Sequence, residues 1–572
     1  MGGEMSDTTS PTPTSKRIVK MILLFSPVLI ACLLMLPRLI SPNFGLFDDG
    51  RTLVLSQGIN QGVWDMSWDS AAGRFRPVYW LYYALAYRIS GMHPFGFFLA
   101  NTLILAVTVA ILIALSRLLG LNRLQAWAAG LVFAFAGPVI ENFYTLSKAE
   151  PLQLLAISLG ILFAVQFAHD HVRKRKVLLL VGCFVSFLLA YLVKETTLVV
   201  VPIAAACGVL AWLRSLRTKG TIGRQTRIAV FGTSTLAGGV FFIARKLVVP
   251  VSLTGGSYSD QYSFTVQRMI ASTVRWSGWL IRDFAFLIPL VLGALILWFA
   301  LRQKKTTVSN PSTQDGFQDA SLLLDAFIWM AAWIAVYLPW VFMQEYYALP
   351  FAFGAALAAG LAIGWLVDRL QHRQVGWRVF SGAILGLAAL LWLVTLPTNL
   401  SNARIQLSVD DANTRLITGL ADHAPQGSTV LVNIQVANEY VEQMALYYLP
   451  KVYSRPDLVV APYQSQPLGD GSDFHRPGVI LAMPQVEHQP LLSVRMGLYE
   501  PTQKTWNTDL LARLTPDWVM GTMIQNQFQL SIVDLPRLFC PLIRTRLFCS
   551  VPSPLLDQRL FSYGWALYQL QP

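Results

Sequence analysis

The chain has 572 residues, of which 54% are hydrophobic and 13% are charged, and its formal net charge is +13. Soluble proteins carry about 25% charged residues, so this composition excludes an ordinary soluble enzyme and indicates a polytopic membrane protein. The basic residues lie in short loops between apolar runs, so the positive charge indicates membrane topology and no nucleic-acid partner.

Residues 1–15 are polar and rich in Ser, Thr and Pro, which predicts a disordered cytoplasmic N-terminus. Apolar runs of roughly 17–25 residues then recur, each long enough to cross a bilayer as a helix. No small-residue cleavage site follows the first run, which favours a retained span over a signal peptide. The predicted spans, about eleven, are 20–40, 95–117, 125–143, 151–168, 177–193, 197–213, 228–247, 281–301, 321–343, 348–367 and 379–397.

Lys and Arg cluster before the first predicted span and then in every second loop. Loops with this excess of Lys and Arg are cytoplasmic. The pattern predicts an odd number of crossings, a cytoplasmic N-terminus and an extracytoplasmic C-terminus in the plasma (inner) membrane. The basic residues that set this orientation are Lys16, Arg17, Lys20, Arg117, Arg123, those of 173–176, Arg214, Arg217, Lys219, Arg224, Arg227, Arg302, Lys304, Lys305, Arg369, Arg373 and Arg378.

The first outward loop, residues 41–94, contains acids and arginines that topology alone does not require. Asp48 and Asp49 follow the first span directly, and an acid pair beside hydrocarbon is costly unless it has partners or a task. The alternative is a solvated loop in which Asp49 caps a helix. Further on, Arg74-Phe-Arg-Pro precedes the apolar segment Pro77–Ser90, which is too short to span and is predicted to be a helix on the membrane surface.

Other outward corners also carry charged or aromatic side chains. For each of them, an interfacial anchor with a snorkelling side chain is the alternative interpretation, and it is the favoured one for Arg282. For Asp48, Arg76 and Glu150 function is favoured, because they recur at one membrane depth on one side. The further residues at these corners are Lys194, Glu195, Arg268, Glu345, Tyr346 and Tyr347.

The composition changes near residue 400, where short alternating apolar runs begin. They predict a soluble, extracytoplasmic α/β domain over 401–572, with a lid or docking role, following a transmembrane domain over 16–400. Cys540 and Cys549 lie in this exported segment and are predicted to form a disulfide. The predicted strands are 428–434, 457–463, 478–483, 517–523 and 561–570, and the predicted helices are 403–422 and 438–449.

The motifs of residues 20–400 resemble those of integral-membrane glycosyltransferases of the C superfamily (GT-C), nearest to the protein O-mannosyltransferase and aminoarabinose transferase group. They are Asp48-Asp-Gly-Arg51, Arg74-Phe-Arg-Pro77, Glu150-Pro151 and Lys194-Glu195. The resemblance implies a GT-C-like helical fold. It also implies that Asp48 or Asp49 is the catalytic base, with Glu150 as a second acid. Arg51 and Arg76 match positions that contact a lipid phosphate, and Arg74, Lys194 and Arg268 are grouped with them.

The implied reaction is an inverting transfer of a sugar from a polyprenyl-phosphate donor to a glycan, lipid or protein acceptor on the outer face of the membrane. Glu195, Glu345, Tyr346 and Tyr347 are expected to line the site. The resemblance leaves a divalent metal (Mg²⁺ or Mn²⁺) open, and the sequence has no dedicated metal cage. A lipid-linked glycan polymerase or ligase, a transporter or flippase of lipid-linked sugars and a non-catalytic assembly or sensor protein remain alternatives.

Overall fold

In the computed structural model, the described residues are 13–65, 67–215, 222–249, 262–304, 315–340, 344–370, 375–432, 438–462, 479–487, 508–514 and 562–570. The chain over these ranges is predominantly α-helical, and its C-terminal part adds a five-stranded sheet. Cys540 and Cys549 and the predicted strand 517–523 lie outside the described residues.

The helices in chain order are α1 Pro13–Ile40, α2 Asp49–Asn60, α3 Ser67–Ala71, α4 Pro77–Ser90, α5 Pro94–Leu118, α6 Arg123–Ala134, α7 Gly137–Tyr144, α8 Glu150–His169, α9 Arg173–Val193, α10 Val200–Ser215, α11 Ile222–Val248, α12 Val266–Phe284, α13 Leu287–Lys304, α14 Asp315–Ala335, α15 Leu349–Leu370, α16 Val375–His423 and α17 Asn438–Glu442. Two 3-10 helices cover Glu195–Val199 and Glu345–Ala348, and a π-helix covers Gln443–Val452.

Seven helices in the described ranges are long and apolar enough to cross a membrane, or up to nine if each of two bent pairs is one span. Two shorter apolar helices, Glu195–Leu210 and Ser321–Ala335, lie where the sixth and ninth spans were predicted. The predicted fold class, a polytopic α-helical membrane protein with a C-terminal α/β part, is therefore confirmed. The count of eleven crossings stays a prediction.

Two of the predicted spans are not straight helices. The run 125–143 is divided into α6 and α7, which meet at 54°, and α12 and α13 meet at 84°. Pro138 and Pro289 lie in the first turns of α7 and α13, where the missing N–H leaves no hydrogen bond unmade. The predicted surface helix Pro77–Ser90 is α4, with the bounds expected from the sequence.

Small residues let α15 pack closely in the centre of the helical bundle. Ala355, Ala358 and Ala359 are completely buried there. A Cβ atom at Gly360 would lie 2.5 Å from the carbonyl oxygen of Gln125 on α6, so only glycine permits this approach. Such small-residue contacts are typical of helix pairs in membranes, where close packing replaces the hydrophobic driving force.

The C-terminal part is joined to the bundle by a continuous helix. Residues 403–422, predicted to be a separate helix, form the end of the 49-residue helix α16, and the predicted domain boundary at 400/401 lies inside it. The division of the chain into domains stays a prediction. Trp565 of the sheet donates its indole N–H to Asn413 Oδ1 on α16 at 3.2 Å.

The strands are β1 Thr429–Val432, β2 Val459–Pro462, β3 Val479–Glu487, β4 Thr508–Leu514 and β5 Ser562–Leu570. Their order is β2-β1-β3-β5-β4, with β2, β1 and β3 parallel and β5 antiparallel to both of its neighbours. Four strands match predicted ones, while β4 was not predicted.

Candidate active site

Asp49 is a buried residue at the start of α2, and its environment favours the neutral carboxyl. Its oxygens accept hydrogen bonds from the Gly45 N–H and the Ser147 hydroxyl, both at 2.7 Å. Burial, assisted by the nearby charge of Asp410, raises the pKa of Asp49 to about 7. The expectation of a solvated loop capped by Asp49 is wrong, because Asp48 occupies the N-cap position and makes no side-chain cap bond.

Asp48 differs from its neighbour in exposure. Its backbone is left-handed, with φ of 65°, and its side chain is 31% exposed. The Asp48 carboxylate accepts a hydrogen bond from Arg51 Nη1 at 3.1 Å. Of the two adjacent acids, Asp48 is therefore the one that an external molecule can reach.

Arg51 is buried and bound by protein groups. Besides Asp48, its guanidinium contacts Glu442 Oε1 at 2.6 Å and the Tyr447 hydroxyl at 3.3 Å. Glu442 and Tyr447 belong to the C-terminal part of the chain, which therefore contributes directly to this region. The sequence-based role of Arg51 as a lipid-phosphate contact stays a prediction, and in the structure Arg51 connects α2 to the C-terminal part.

The corner before α8 is attached to α2 by hydroxyl groups. The hydroxyls of Ser147 and Thr52 are 2.8 Å apart, and Thr52 lies near the Tyr79 hydroxyl on α4. Ser147 has a positive φ of 59°, so the corner adopts a backbone conformation that is uncommon for serine. These bonds bring the Asp48-Asp49 segment, the corner and α4 into one group.

Arg76 forms a buried ion pair with Asp69, which was not among the predicted site residues. Its Nη2 donates to Asp69 Oδ1 at 2.6 Å, and the indole N–H of Trp80 donates to Asp69 Oδ2 at 2.6 Å. Burial by itself would raise the pKa of Asp69, but the charges of Arg76 and Arg74 and the hydrogen bonds from Arg76 and Trp80 together outweigh it, so the pKa of Asp69 is lowered. The Arg76 guanidinium also lies 4.7 Å from the ring centroid of Tyr79.

Glu150 and Lys194 form a second buried pair, between the start of α8 and the end of α9. Burial alone would lower the pKa of Lys194, but the charge of Glu150 and its hydrogen bond, together with Tyr347 and Glu195 nearby, outweigh it, so the pKa of Lys194 is raised. The Lys194 ammonium lies 4.6 Å from the ring centroid of Tyr347. Both residues of this pair were predicted as site residues, and the structure brings them together.

Two aromatic residues connect this pair to the first loop. The hydroxyls of Tyr346 and Tyr347 are 3.0 Å apart. Tyr346 lies within electrostatic reach of both Asp48 and Glu150. The predicted site residues Asp48, Glu150, Lys194, Tyr346 and Tyr347 therefore surround one region of the molecule.

Glu195 lies between the two buried pairs. Its charge acts on Arg76 and on Lys194, and also on Arg245 of α11. Arg245 donates to the carbonyl oxygen of Gly73 at 2.7 Å, next to Arg74. The predicted phosphate contacts Arg76 and Lys194 therefore share the electrostatic influence of Glu195, and Arg74 acts on Asp69, the partner of Arg76.

Glu345 and Arg268 have different surroundings. Glu345 binds Arg282, which also makes two hydrogen bonds to Asp283, at 2.6 and 2.8 Å. Arg282 is only 4% exposed, so the expectation that it is an interfacial anchor is wrong: its charge is neutralised inside the bundle. Arg268 on α12 donates to the carbonyl oxygen of Trp340 at 3.1 Å.

Lys148 is a residue of this region that sequence reasoning missed. Its ammonium lies 4.1 Å from the ring centroid of Tyr346 and 5.0 Å from that of Phe47. Its position two residues before Glu150 could have drawn attention to it. Asp410 and Glu442 gave no such signal, because they are distant in sequence from every motif.

The described residues do not form a metal centre. Among them, no group of three or more His, Cys, Asp or Glu side chains could hold a metal ion. Glu150 is paired with Lys194, and Asp48 with Arg51, so these acids face cations of the protein itself. These residues do not fit a divalent cation held by the protein alone, and metal dependence stays open.

No protein-family model and no curated protein matches the sequence. Two solved structures of ArnT from Cupriavidus metallidurans are similar to this chain. The apo structure has 14% identity and a TM-score of 0.46, and the one bound to undecaprenyl phosphate has 13% and 0.45. Each match covers 88% of this chain and 97% of ArnT.

An oligosaccharyltransferase from Archaeoglobus fulgidus, in the apo form, is similar with 12% identity and a TM-score of 0.45, over 80% of this chain and 66% of that chain. The identities and TM-scores of all three matches are low, and the function proposed below rests on the residues of the site.

Proposed function

We propose that the protein is a membrane glycosyltransferase that moves a sugar from a polyprenyl-phosphate donor to an acceptor hydroxyl. The observation that carries this proposal is the grouping of an exposed acid, Asp48, with two buried cations, Arg76 and Lys194, around Tyr346 and Glu195. A transfer of this kind needs a base for the acceptor proton and cations for the departing phosphate.

Asp48 is the proposed base. It is partly exposed, and it carries one protein counterion. In the proposed step it takes the acceptor proton while the acceptor oxygen forms a bond to the anomeric carbon. The bond from that carbon to the phosphate oxygen breaks, and its electron pair leaves with the polyprenyl phosphate. Attack opposite the leaving group inverts the anomeric configuration.

Arg76 and Lys194 are the proposed phosphate contacts, with Arg74 beside them. Lys194 is 14% exposed and Arg76 is 9% exposed at their side chains, so a bound phosphate would be largely removed from water. Hydrogen bonds between cations and phosphate oxygens strengthen under such conditions. Asp69 and Glu150 hold the two cations in place before the donor binds.

The proposed orientation follows the positive-inside pattern, with this region and the C-terminal part at the outer face of the plasma membrane. The acceptor is a glycan, a lipid or a protein. A lipid-linked glycan polymerase or ligase would use the same chemistry. A transporter would be expected to carry its charges at mid-span on broken helices, whereas the residues of this site lie at helix ends. Asp48 precedes α2, Arg76 precedes α4, Glu150 begins α8 and Lys194 follows α9.

The decisive experiment combines lipid identification with one substitution. The purified protein is analysed for copurifying polyprenyl-phosphate sugars, and the sugar found is supplied as a labelled donor. Asp48→Asn keeps the shape of the side chain but removes the base, so it should abolish transfer and leave donor binding intact. Full transfer activity of Asp48→Asn would exclude Asp48 as the base. Donor movement across vesicles without transfer would support the transporter alternative.

A further inference from the structure

The π-helix Gln443–Val452 and the preceding residue, Glu442, form hydrogen bonds with the first turn of α2. Glu442 Oε1 accepts a hydrogen bond from Arg51 Nη2 at 2.6 Å, and the Tyr447 hydroxyl accepts one from Arg51 Nε at 3.3 Å. Gln443 Oε1 accepts a hydrogen bond from the backbone N–H of Arg51 at 2.8 Å. π-helical turns are rare and are frequently found at functional sites.

Tyr448 of the same π-helix contacts the chain on either side of Asp48 in sequence. The Tyr448 hydroxyl donates to the carbonyl oxygen of Gly45 at 2.7 Å. A Cβ atom at Gly50 would lie 2.8 Å from the Tyr448 ring, so α2 lies directly against this ring. The C-terminal segment therefore holds the chain both before and after Asp48.

Arg51 is one cation shared by two carboxylates. Its side chain is 3% exposed, whereas those of Asp48 and Glu442 are 31% and 35% exposed. Arginine forms its strongest carboxylate contacts through two parallel N–H bonds. Without the competing charge of Glu442, Arg51 could donate two N–H bonds to Asp48. Both carboxylate oxygens of Asp48 would then be occupied, and neither would be available to accept a proton.

We propose that Glu442 is a positioning residue of the transferase site. It holds the guanidinium of Arg51 so that Arg51 orients Asp48 while leaving a carboxylate oxygen available to the acceptor hydroxyl. This inference rests on the proposed function, with Asp48 as the base. It makes the C-terminal part a constituent of the site and gives it a task more specific than a lid.

The test compares Glu442→Gln, Glu442→Asp and Tyr447→Phe with Leu446→Ala. Leu446 lies in the same π-helix, is 52% exposed and serves as the matched control. A hydrogen bond to a charged group contributes about 1.5–3 kcal/mol. Loss of the charge in Glu442→Gln should therefore lower kcat roughly tenfold or more. KM for the labelled lipid donor should remain unchanged. Glu442→Asp, which keeps the charge, should recover part of the loss, and Tyr447→Phe should have a smaller effect.

A double substitution shows whether the effect passes through Arg51. Arg51→Lys and Glu442→Gln should each lower kcat, and the double variant should be no worse than the poorer single variant, because both changes remove one contact. Independent, multiplicative losses would overturn the proposal. So would equal kcat values for Glu442→Gln and Leu446→Ala, or loss of donor binding and of kcat together.

Asp48→Asn measured in the same assay separates this inference from the function on which it rests. If Asp48→Asn is inactive and Glu442→Gln has wild-type kcat, only the positioning role fails. If Asp48→Asn is fully active, the base assignment fails whatever the Glu442 variants do.

Discussion

Asp49→Asn should make the protein more stable above neutral pH, although it changes a buried residue beside the proposed base. The Asp49 side chain lies in a closed pocket with two donors, and its pKa is raised to about 7 from the ordinary 3.8. The folded protein therefore retains the Asp49 proton up to about pH 7, while the unfolded chain loses it near pH 3.8. Because the folded state binds more protons in this interval, its stability falls as the pH rises through it.

The loss of folding stability can be calculated from the raised pKa of Asp49. A change of about 3 pKa units corresponds to roughly 4 kcal/mol at 1.36 kcal/mol per unit, which is an upper bound on the loss between pH 4 and pH 7. Asparagine resembles the protonated carboxyl and cannot ionise. The variant should therefore show a flat stability profile over this interval, whereas the wild type declines.

The assay is thermal unfolding of the detergent-solubilised protein at a series of pH values from 4 to 9. Asp422→Asn is the control, since Asp422 is an exposed carboxylate on α16 and should leave the profile unchanged. Parallel profiles for Asp49→Asn and the wild type would refute the reasoning, as would a marked loss of stability for Asp49→Asn at pH 8. Parallel profiles would mean that the pKa of Asp49 is not raised in the folded protein, and a loss at pH 8 would mean that the site binds the ionised carboxylate better than the amide.

Two further predictions concern the buried ion pairs. Asp69→Asn should destabilise the protein by about 3 kcal/mol, measured as a lowered unfolding temperature, because it leaves the Arg76 charge buried without its counterion; an unchanged temperature would contradict this. Glu345→Gln should lower the unfolding temperature less than Asp283→Asn, since Arg282 keeps both hydrogen bonds to Asp283 in the first variant. If Glu345→Gln protein were stable but lost transfer activity, that result would support a place for Glu345 in the site.

The helical part of the fold was predictable because its signals are local. Each of the eleven apolar runs contains helix in the structure, and α4 begins and ends at the predicted residues. The bends between α6 and α7 and between α12 and α13 were missed, because hydropathy averages over a break of two residues. Pro138 was a signal of the first bend and Pro289 of the second.

The site was predictable to the extent that its residues stand in recognisable motifs. Glu150 and Lys194 were each predicted as site residues from separate motifs, and they form an ion pair. The role of Arg282 was misjudged for a physical reason: at a membrane interface an arginine either snorkels or is neutralised. Its neutralising partners are the adjacent Asp283 and Glu345, which lies 63 positions away, so Asp283 was a local signal and only Glu345 was beyond the local sequence.

The contacts that organise the first loop come from the far end of the chain. Asp410 binds Arg38 at the end of α1, and a Cβ atom at Gly45 would lie 3.1 Å from Asp410 and 3.3 Å from Asp49. The Asp410 charge thus helps to keep Asp49 protonated, while Glu442 engages the Arg51 that neutralises Asp48. The two adjacent acids of identical chemistry differ in burial and in partners, because Asp410 of α16 lies near the buried Asp49 whereas Glu442 binds the arginine that pairs with Asp48. The motif supplies the acids, and the C-terminal part supplies different contacts to each of them.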